Sequence, residues 1–139
     1  MIFALDPRLE ADTFVVGDLR LCRVLLMNDC RFPWLILVPR RAGLSELHDL
    51  PAQELGALAG EAVLAGKKLK GLTGARKINT GALGNMVAQL HVHVVARFEG
   101  DAAWPGPVWG HGAAAPYAPA AAAERVATLR AALAVDGAA

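Results

Sequence analysis

The sequence predicts an α+β fold, with an antiparallel sheet of about five strands, one long helix and a C-terminal helix. Three observations point there. Apolar runs of strand length follow one another closely in the first 40 residues, with turn residues between them. A single stretch in the middle of the chain carries its apolar residues at helical spacing. Further strand-length runs follow it, before an alanine-rich tail.

Each element has its own local cause. Residues 1–12 are a polar lead-in with a short helical turn near Pro7. Residues 13–27 are rich in Val, Leu and Phe and are broken by Gly17 and Asp18, which predicts two strands joined there by a tight turn. Residues 28–31 read as a loop, and residues 32–38 as the next strand, closed by Pro39. A turn over 45–50 leads to Pro51, suited to a first helical position. Leu55, Leu58, Ala59, Ala62, Val63 and Leu69 then form one apolar face of a helix of about five turns. Gly56, Gly60 and Gly66 weaken that helix, and Gly71 and Gly74 stop it. Residues 76–80 suggest a short strand, Gly81 and Gly84 a compact loop, and residues 90–98 the clearest strand of the chain. Residues 99–112, with Pro105, Pro107, Trp104 and Trp109, read as irregular packed structure. Residues 120–135 form the terminal helix. The division expected is a domain over 1–105 and a C-terminal extension over 106–139.

Composition narrows the function classes. A chain of 139 residues suits one hydrophobic core. A net charge of +1 argues against a broad nucleic-acid footprint, while leaving room for a local anion site. Cys22 and Cys30 are too few for a disulfide framework and are expected as buried free thiols. The first dozen residues hold Asp6, Arg8, Glu10 and Asp12 rather than a signal peptide, and no apolar run has membrane-spanning length, so a cytoplasmic location without a membrane partner is expected.

The chemistry concentrates on the strand over 90–98 and its approach. Side chains alternate faces along a strand, so Gln89, His91, His93, Val95 and Arg97 share one face, and Leu90, Val92, Val94, Ala96 and Phe98 the other. The second face is wholly apolar and is the expected core side. The first places two imidazoles about 7 Å apart along the strand. Just upstream, Gly81 and Gly84 allow a tight backbone turn and an anion nest, bracketed by the amides of Asn79 and Asn85. A neutral imidazole is a competent nucleophile toward phosphorus when a hydrogen bond fixes its other nitrogen. Spacing alone leaves three readings open: a nucleophile, a metal-binding pair completed by residues such as His48 or His111, and two ordinary sheet histidines. His48 beside Asp49 suits a helix entry, His111 an exposed tail, and Trp104 and Trp109 suit packing.

The segment NTGALGNMVAQLHVHVVAR, residues 79–97, resembles the histidine triad (HIT) superfamily of nucleotide hydrolases and transferases. The family pattern is His-φ-His-φ-His-φ-φ, with φ apolar; this chain reads Gln-Leu-His-Val-His-Val-Val. Upstream, LLMNDCRFPWLILVPRR (25–41) is similar to the family's ribose-binding loop between two strands, and ELHDLPAQELGAL (46–58) to the helix entry of its diadenosine polyphosphate hydrolase branch. The resemblance implies that His91 is the nucleophile, forming a covalent nucleotidyl intermediate at the α-phosphate of a nucleoside polyphosphate or phosphoramidate. It implies that His93 helps hold the phosphate, that Asn85 binds phosphate, that Asn28 binds ribose and that Asn79 lies near the nucleotide. It also implies a homodimer with joined sheets and no metal or cofactor. Two positions depart from the pattern. Gln89 replaces the first histidine; it is expected among the catalytic residues with His91 and His93, since its amide can still hydrogen-bond and orient a neighbour, but it cannot titrate near neutrality. Met86 stands where many members carry a hydroxyl. These departures motivate an alternative, a nucleotide-binding regulatory module with little or no turnover.

Overall fold

A strand whose two faces are both apolar needs a cover on each side, and the order of elements supplies two. The computed structural model describes residues 2–137; Met1, Ala138 and Ala139, at the ends of the two expected units, lie outside the described residues. Helix α1 (Pro7–Asp12) leads into β1 (Thr13–Asp18), β2 (Cys22–Met27) and β3 (Trp34–Pro39). A short 3₁₀ turn precedes the long helix α2 (Ala52–Thr73), followed by β4 (Lys77–Gly81), β5 (Val92–Arg97) and α3 (Pro119–Leu133). The five strands form one antiparallel sheet in the order β1-β2-β3-β5-β4, the α+β architecture expected.

Several local expectations shift. Gly17 and Asp18 lie inside β1 rather than in the turn; the chain reverses over residues 19–21. Asp18 stands opposite Arg23 and pairs with it at 2.9 Å, so this cross-strand ion pair extends the hairpin past the predicted turn. On α2 the buried line is Leu58, Ala65, Gly66 and Leu69, whereas Leu55 and Val63 of the predicted face are 38% and 71% exposed. The cause is close packing at Gly66: a Cβ there would stand 3.3 Å from Ile78, so the helix sits against β4 and β5 on its smallest residues. Cys22 is buried as expected, but Cys30, at the exit of β2, is exposed.

One sheet face packs against the helices. Val24, Leu26, Leu35, Leu37, Val92, Val94 and Ala96 meet Leu58, Ala65 and Leu69 of α2 and Val126, Leu129 and Leu133 of α3. The histidine-bearing face, expected to be polar at one end, is also buried. There Leu25, Trp34, Ile36, Val38 and Val95 pack with Leu9 of α1, Phe32 and Val108.

Residues 99–117 form a strap across that second face, and buried polar groups hold it. Arg97, 1% exposed, donates to the Asp101 carboxylate at 2.8 Å, to the Gly106 carbonyl at 2.7 Å and to Asn79 Oδ1 at 2.8 Å. Asp101 also accepts the backbone N–H groups of Phe98, Ala103 and Trp104. Burial opposes ionisation of Asp101, but the Arg97 guanidinium and these N–H groups outweigh it and hold the carboxyl well below the usual carboxylate range. At the far end, Asn28 Oδ1 accepts the Tyr117 N–H at 2.8 Å, and buried Asp29 accepts from Ala115 and pairs with Arg31 at 2.8 Å. Among the described residues, no helix is long and apolar enough to cross a membrane.

Candidate active site

His91 sits immediately before β5 and His93 is its second residue. The His91 Nδ1 lies 2.6 Å from the Gln89 carbonyl oxygen. A carbonyl only accepts, so Nδ1 carries a proton, and in the neutral ring the lone pair is on Nε2. His93 is arranged the opposite way. Its Nδ1 accepts the indole N–H of Trp34 at 3.0 Å, which puts the ring proton of neutral His93 on Nε2. Two imidazoles of opposite tautomer therefore stand 4.9 Å apart, centroid to centroid, and steeply inclined at 69°. They are 6% and 7% exposed. Burial, and secondly the neighbouring charge of His91, pull His93 down to about 4, so it is neutral at neutral pH.

Strand register builds this arrangement. Trp34 stands opposite Val95 and Ile36 opposite His93 in the β3–β5 ladder, so these four side chains share one face. The Trp34 ring lies 5.7 Å from His93, and Trp109, delivered by the strap, lies 5.3 Å away on another side. Trp109 in turn packs over Gly81 at the end of β4.

The two histidines line a largely apolar pocket of about 380 Å³. Its walls are Leu9 and Asp12 of α1, Met27, Trp34 and Ile36 of the sheet, residues 83–87, and Trp109 with Gly110. Gly84 turns the loop with φ of 77°, which a residue with a Cβ rarely adopts. A smaller cavity of about 240 Å³ adjoins His91 and is lined by Ser45, Glu46, Leu47, His48, residues 82–84 and residues 89–90.

Of the residues singled out in the sequence, the pocket brings together His91, His93 and Asn85, with the exposed Met86 at its edge. Gln89 lines the smaller cavity instead, and its amide is engaged at both ends. It donates to the Ala4 carbonyl and accepts the Asp6 N–H, each at 2.8 Å, pinning the lead-in to α1. Asn28 and Asn79 are absent from the pocket lining, and each offers its Oδ1 to the strap or its anchor. The His48 side chain is 83% exposed, and Asp49 makes the local turn contacts to Ser45 and Glu46. His111 is exposed between Gly110 and Gly112. Among the described residues no group of three or more His, Cys, Asp or Glu side chains is placed to hold a metal ion.

Sequence reading missed Trp34, Trp109, Leu9 and Asp12 as site residues. Trp34 carried a signal: it falls in phase with Ile36 on a strand that, once paired with β5, shares the histidine face. The pairing itself is not local information. Trp109 carried none, because an irregular strap has no period from which a facing direction follows.

The chain matches the HIT domain family over residues 8–100. Among solved structures it is similar to a histidine triad (HIT) protein from Sinorhizobium meliloti 1021, at 51% identity and a TM-score of 0.91, over 93% of this chain and 96% of that one. It is also similar to a histidine triad protein from Marinobacter aquaeolei VT8, at 46% identity and a TM-score of 0.94, over 96% and 98% of the two chains. A histidine triad protein from Bradyrhizobium japonicum is 41% identical, with a TM-score of 0.93 over 96% and 99%. No curated protein sequence matches it.

Proposed function

The chain belongs to the HIT domain family, and on that premise we propose that it is a nucleotide hydrolase or transferase working through a covalent nucleotidyl-His91 intermediate. The observation that carries the reading is the tautomer of His91. Its Nδ1–H is engaged by the Gln89 carbonyl, so the Nε2 lone pair is available to phosphorus. As the Nε2–P bond forms, the same carbonyl stabilises the positive charge that grows on the ring.

The surroundings support the remaining roles. The Nε2–H of His93 is a fixed donor for a phosphoryl oxygen, and Asn85, whose amide can add a further donor, lines the same pocket. The apolar wall of Leu9, Met27 and Ile36 suits a nucleobase. Asn28 and Asn79 act in this reading through the strap they help to hold. The step balances simply. His91 Nε2 displaces the leaving group from the α-phosphorus; water then attacks the phosphorus, the N–P electron pair returns to His91 Nε2, and the proton the water loses passes to solvent.

Intact-protein mass spectrometry during a single turnover of diadenosine tetraphosphate tests this. The native chain is expected to gain one adenylate, and His91→Ala to gain none, with turnover reduced at least about a thousandfold. Binding of AMP without adduct or turnover on any dinucleotide would instead favour the regulatory module, the reading that Gln89 and Met86 motivate.

The expected homodimer belongs to the same proposal. β4 is an edge strand, and beside it Ala59, Ala62, Val63, Gly66 and Ile78 line an open apolar groove that a second copy would cover. Sedimentation velocity distinguishes one chain from two.

A further inference from the structure

We infer that this site cleaves bonds whose leaving group departs without a proton, and so selects phosphoanhydrides over phosphoramidates. The inference rests on nucleotidyl transfer to His91 and concerns the opposite end of the same reaction. In a phosphoanhydride, the bridging P–O bond breaks with its electron pair on oxygen, and a nucleoside phosphate leaves as a stable anion. In a phosphoramidate, the P–N bond breaks usefully only when the nitrogen has gained a proton, so that a neutral amine leaves. The second reaction needs an acid beside the leaving group, and general acid catalysis of that kind is worth about 10² to 10⁴ in rate.

Apart from Asp12, and His48 in the adjoining cavity, both addressed in the test below, the groups facing the pocket do not include one that gives up a proton readily. His93 carries Nε2–H, but releasing it from a neutral ring would leave an imidazolate. To become an acid, His93 must first be protonated on Nδ1. That nitrogen already accepts the Trp34 N–H at 3.0 Å, so protonation would set two N–H groups against each other inside a buried site. Trp34 is thus a positioning residue: it acts through His93, keeping it a donor of hydrogen bonds and excluding it from proton transfer. Gln89 holds the place of the first motif histidine, has no titrating group, and has both ends of its amide on the backbone of residues 4 and 6. Met86 carries no proton to give. Trp109 is an indole, a donor of hydrogen bonds alone. Arg8 is engaged with the Met86 carbonyl, to which it donates at 3.0 Å.

Two titratable groups remain near the reacting centre besides His91. Asp12 lines the pocket from the end of α1, and His48 lines the smaller cavity from an exposed turn. Both are included in the test.

The experiment is rapid-quench mass spectrometry of the full chain at neutral pH, timing adenylate transfer to His91 from diadenosine tetraphosphate and from adenosine 5′-phosphoramidate. The anhydride is expected to react at least about a hundredfold faster. A series of aryl esters of AMP should show adduct formation slowing steeply as the leaving group becomes more basic. In Trp34→Phe, His93 loses the donor that opposes its protonation. The gap between the two substrates should then narrow in the mildly acidic range, while the native chain keeps it. Comparable rates for both substrates, a flat ester series, or phosphoramidate cleavage that disappears in Asp12→Asn or His48→Ala would overturn the inference. A gap in Trp34→Phe that stays as wide as in the native chain would overturn the role of Trp34. An adduct from neither substrate would defeat the nucleotidyl-His91 reading itself, a separate outcome from equal adducts on both.

Discussion

The two faces of the sheet are sealed in different ways. Under α2 and α3, apolar side chains from periodic elements interlock, and the cover is continuous: Val94, Leu35 and Leu129 are wholly buried. Over the other face the cover is α1 and an aperiodic strap, held at a few points by polar groups, namely the buried Arg97 with Asp101, the buried Asp29, and the half-buried Asn28 and Gln89. A strap fastened at points spans a surface without filling it, and the space it leaves is the pocket that holds His91 and His93. This fold places its core where sequence period is strong, and its candidate site where charge and hydrogen bonding do the holding.

Weakening an anchor should therefore reach the site before it reaches the helical core. The largest effect is expected for Asp101→Asn. It leaves Arg97 buried without its counter-charge, a change that typically costs about 3–5 kcal/mol. Urea unfolding should show the loss, and Trp109 fluorescence should report a loosened strap ahead of the global transition. A cost no larger than that of an exposed substitution would mean that the strap is held by apolar packing after all.

Acid should act on the same face, through His93. Its folded value of about 4 lies below the ordinary 6.5, so on acidification the unfolded chain takes the proton first. Stability is complete above roughly the unfolded value and falls as pH drops through the range down to about 4. The limit of the effect is roughly 3 kcal/mol. Urea midpoints across that range measure it, and His93→Gln should flatten the dependence. An unchanged slope in that variant would assign the acid sensitivity elsewhere.

The smallest effect is expected for Gln89→Ala, which removes two hydrogen bonds to the lead-in and should cost about 1–2 kcal/mol. Limited proteolysis within the first dozen residues should accelerate while the sheet keeps its urea midpoint to within that amount. Equal proteolysis rates would show that Arg8 and Leu9 hold the lead-in without Gln89.

Much of the fold was legible in the sequence because its elements are locally consistent. The alternation over 90–98 placed Val92, Val94 and Ala96 together on the core side, and the helical spacing after Pro51 located α2. Errors arose where a residue's neighbour is remote. The exposed Val63 looked buried because helical period marks an apolar stripe without saying which part of it meets the sheet. The hydrogen bonds of Asn28 and Asn79 were likewise not legible, because the groups their Oδ1 atoms accept from depend on the path of residues 99–117.

For the site itself, sequence alone put His91 and His93 on one face, next to a loop containing Gly84 and Asn85, because strand alternation and glycine's backbone freedom are properties of a few adjacent residues. The tautomer of His91 follows from a carbonyl two residues away, whereas which nitrogen of His93 accepts and which donates was decided only by the tertiary structure. For His93 the deciding donor, Trp34, is 59 residues away in the chain. The reason is physical: a tautomer is set by the partner of one nitrogen, and that partner arrives only when β3 and β5 pair in register.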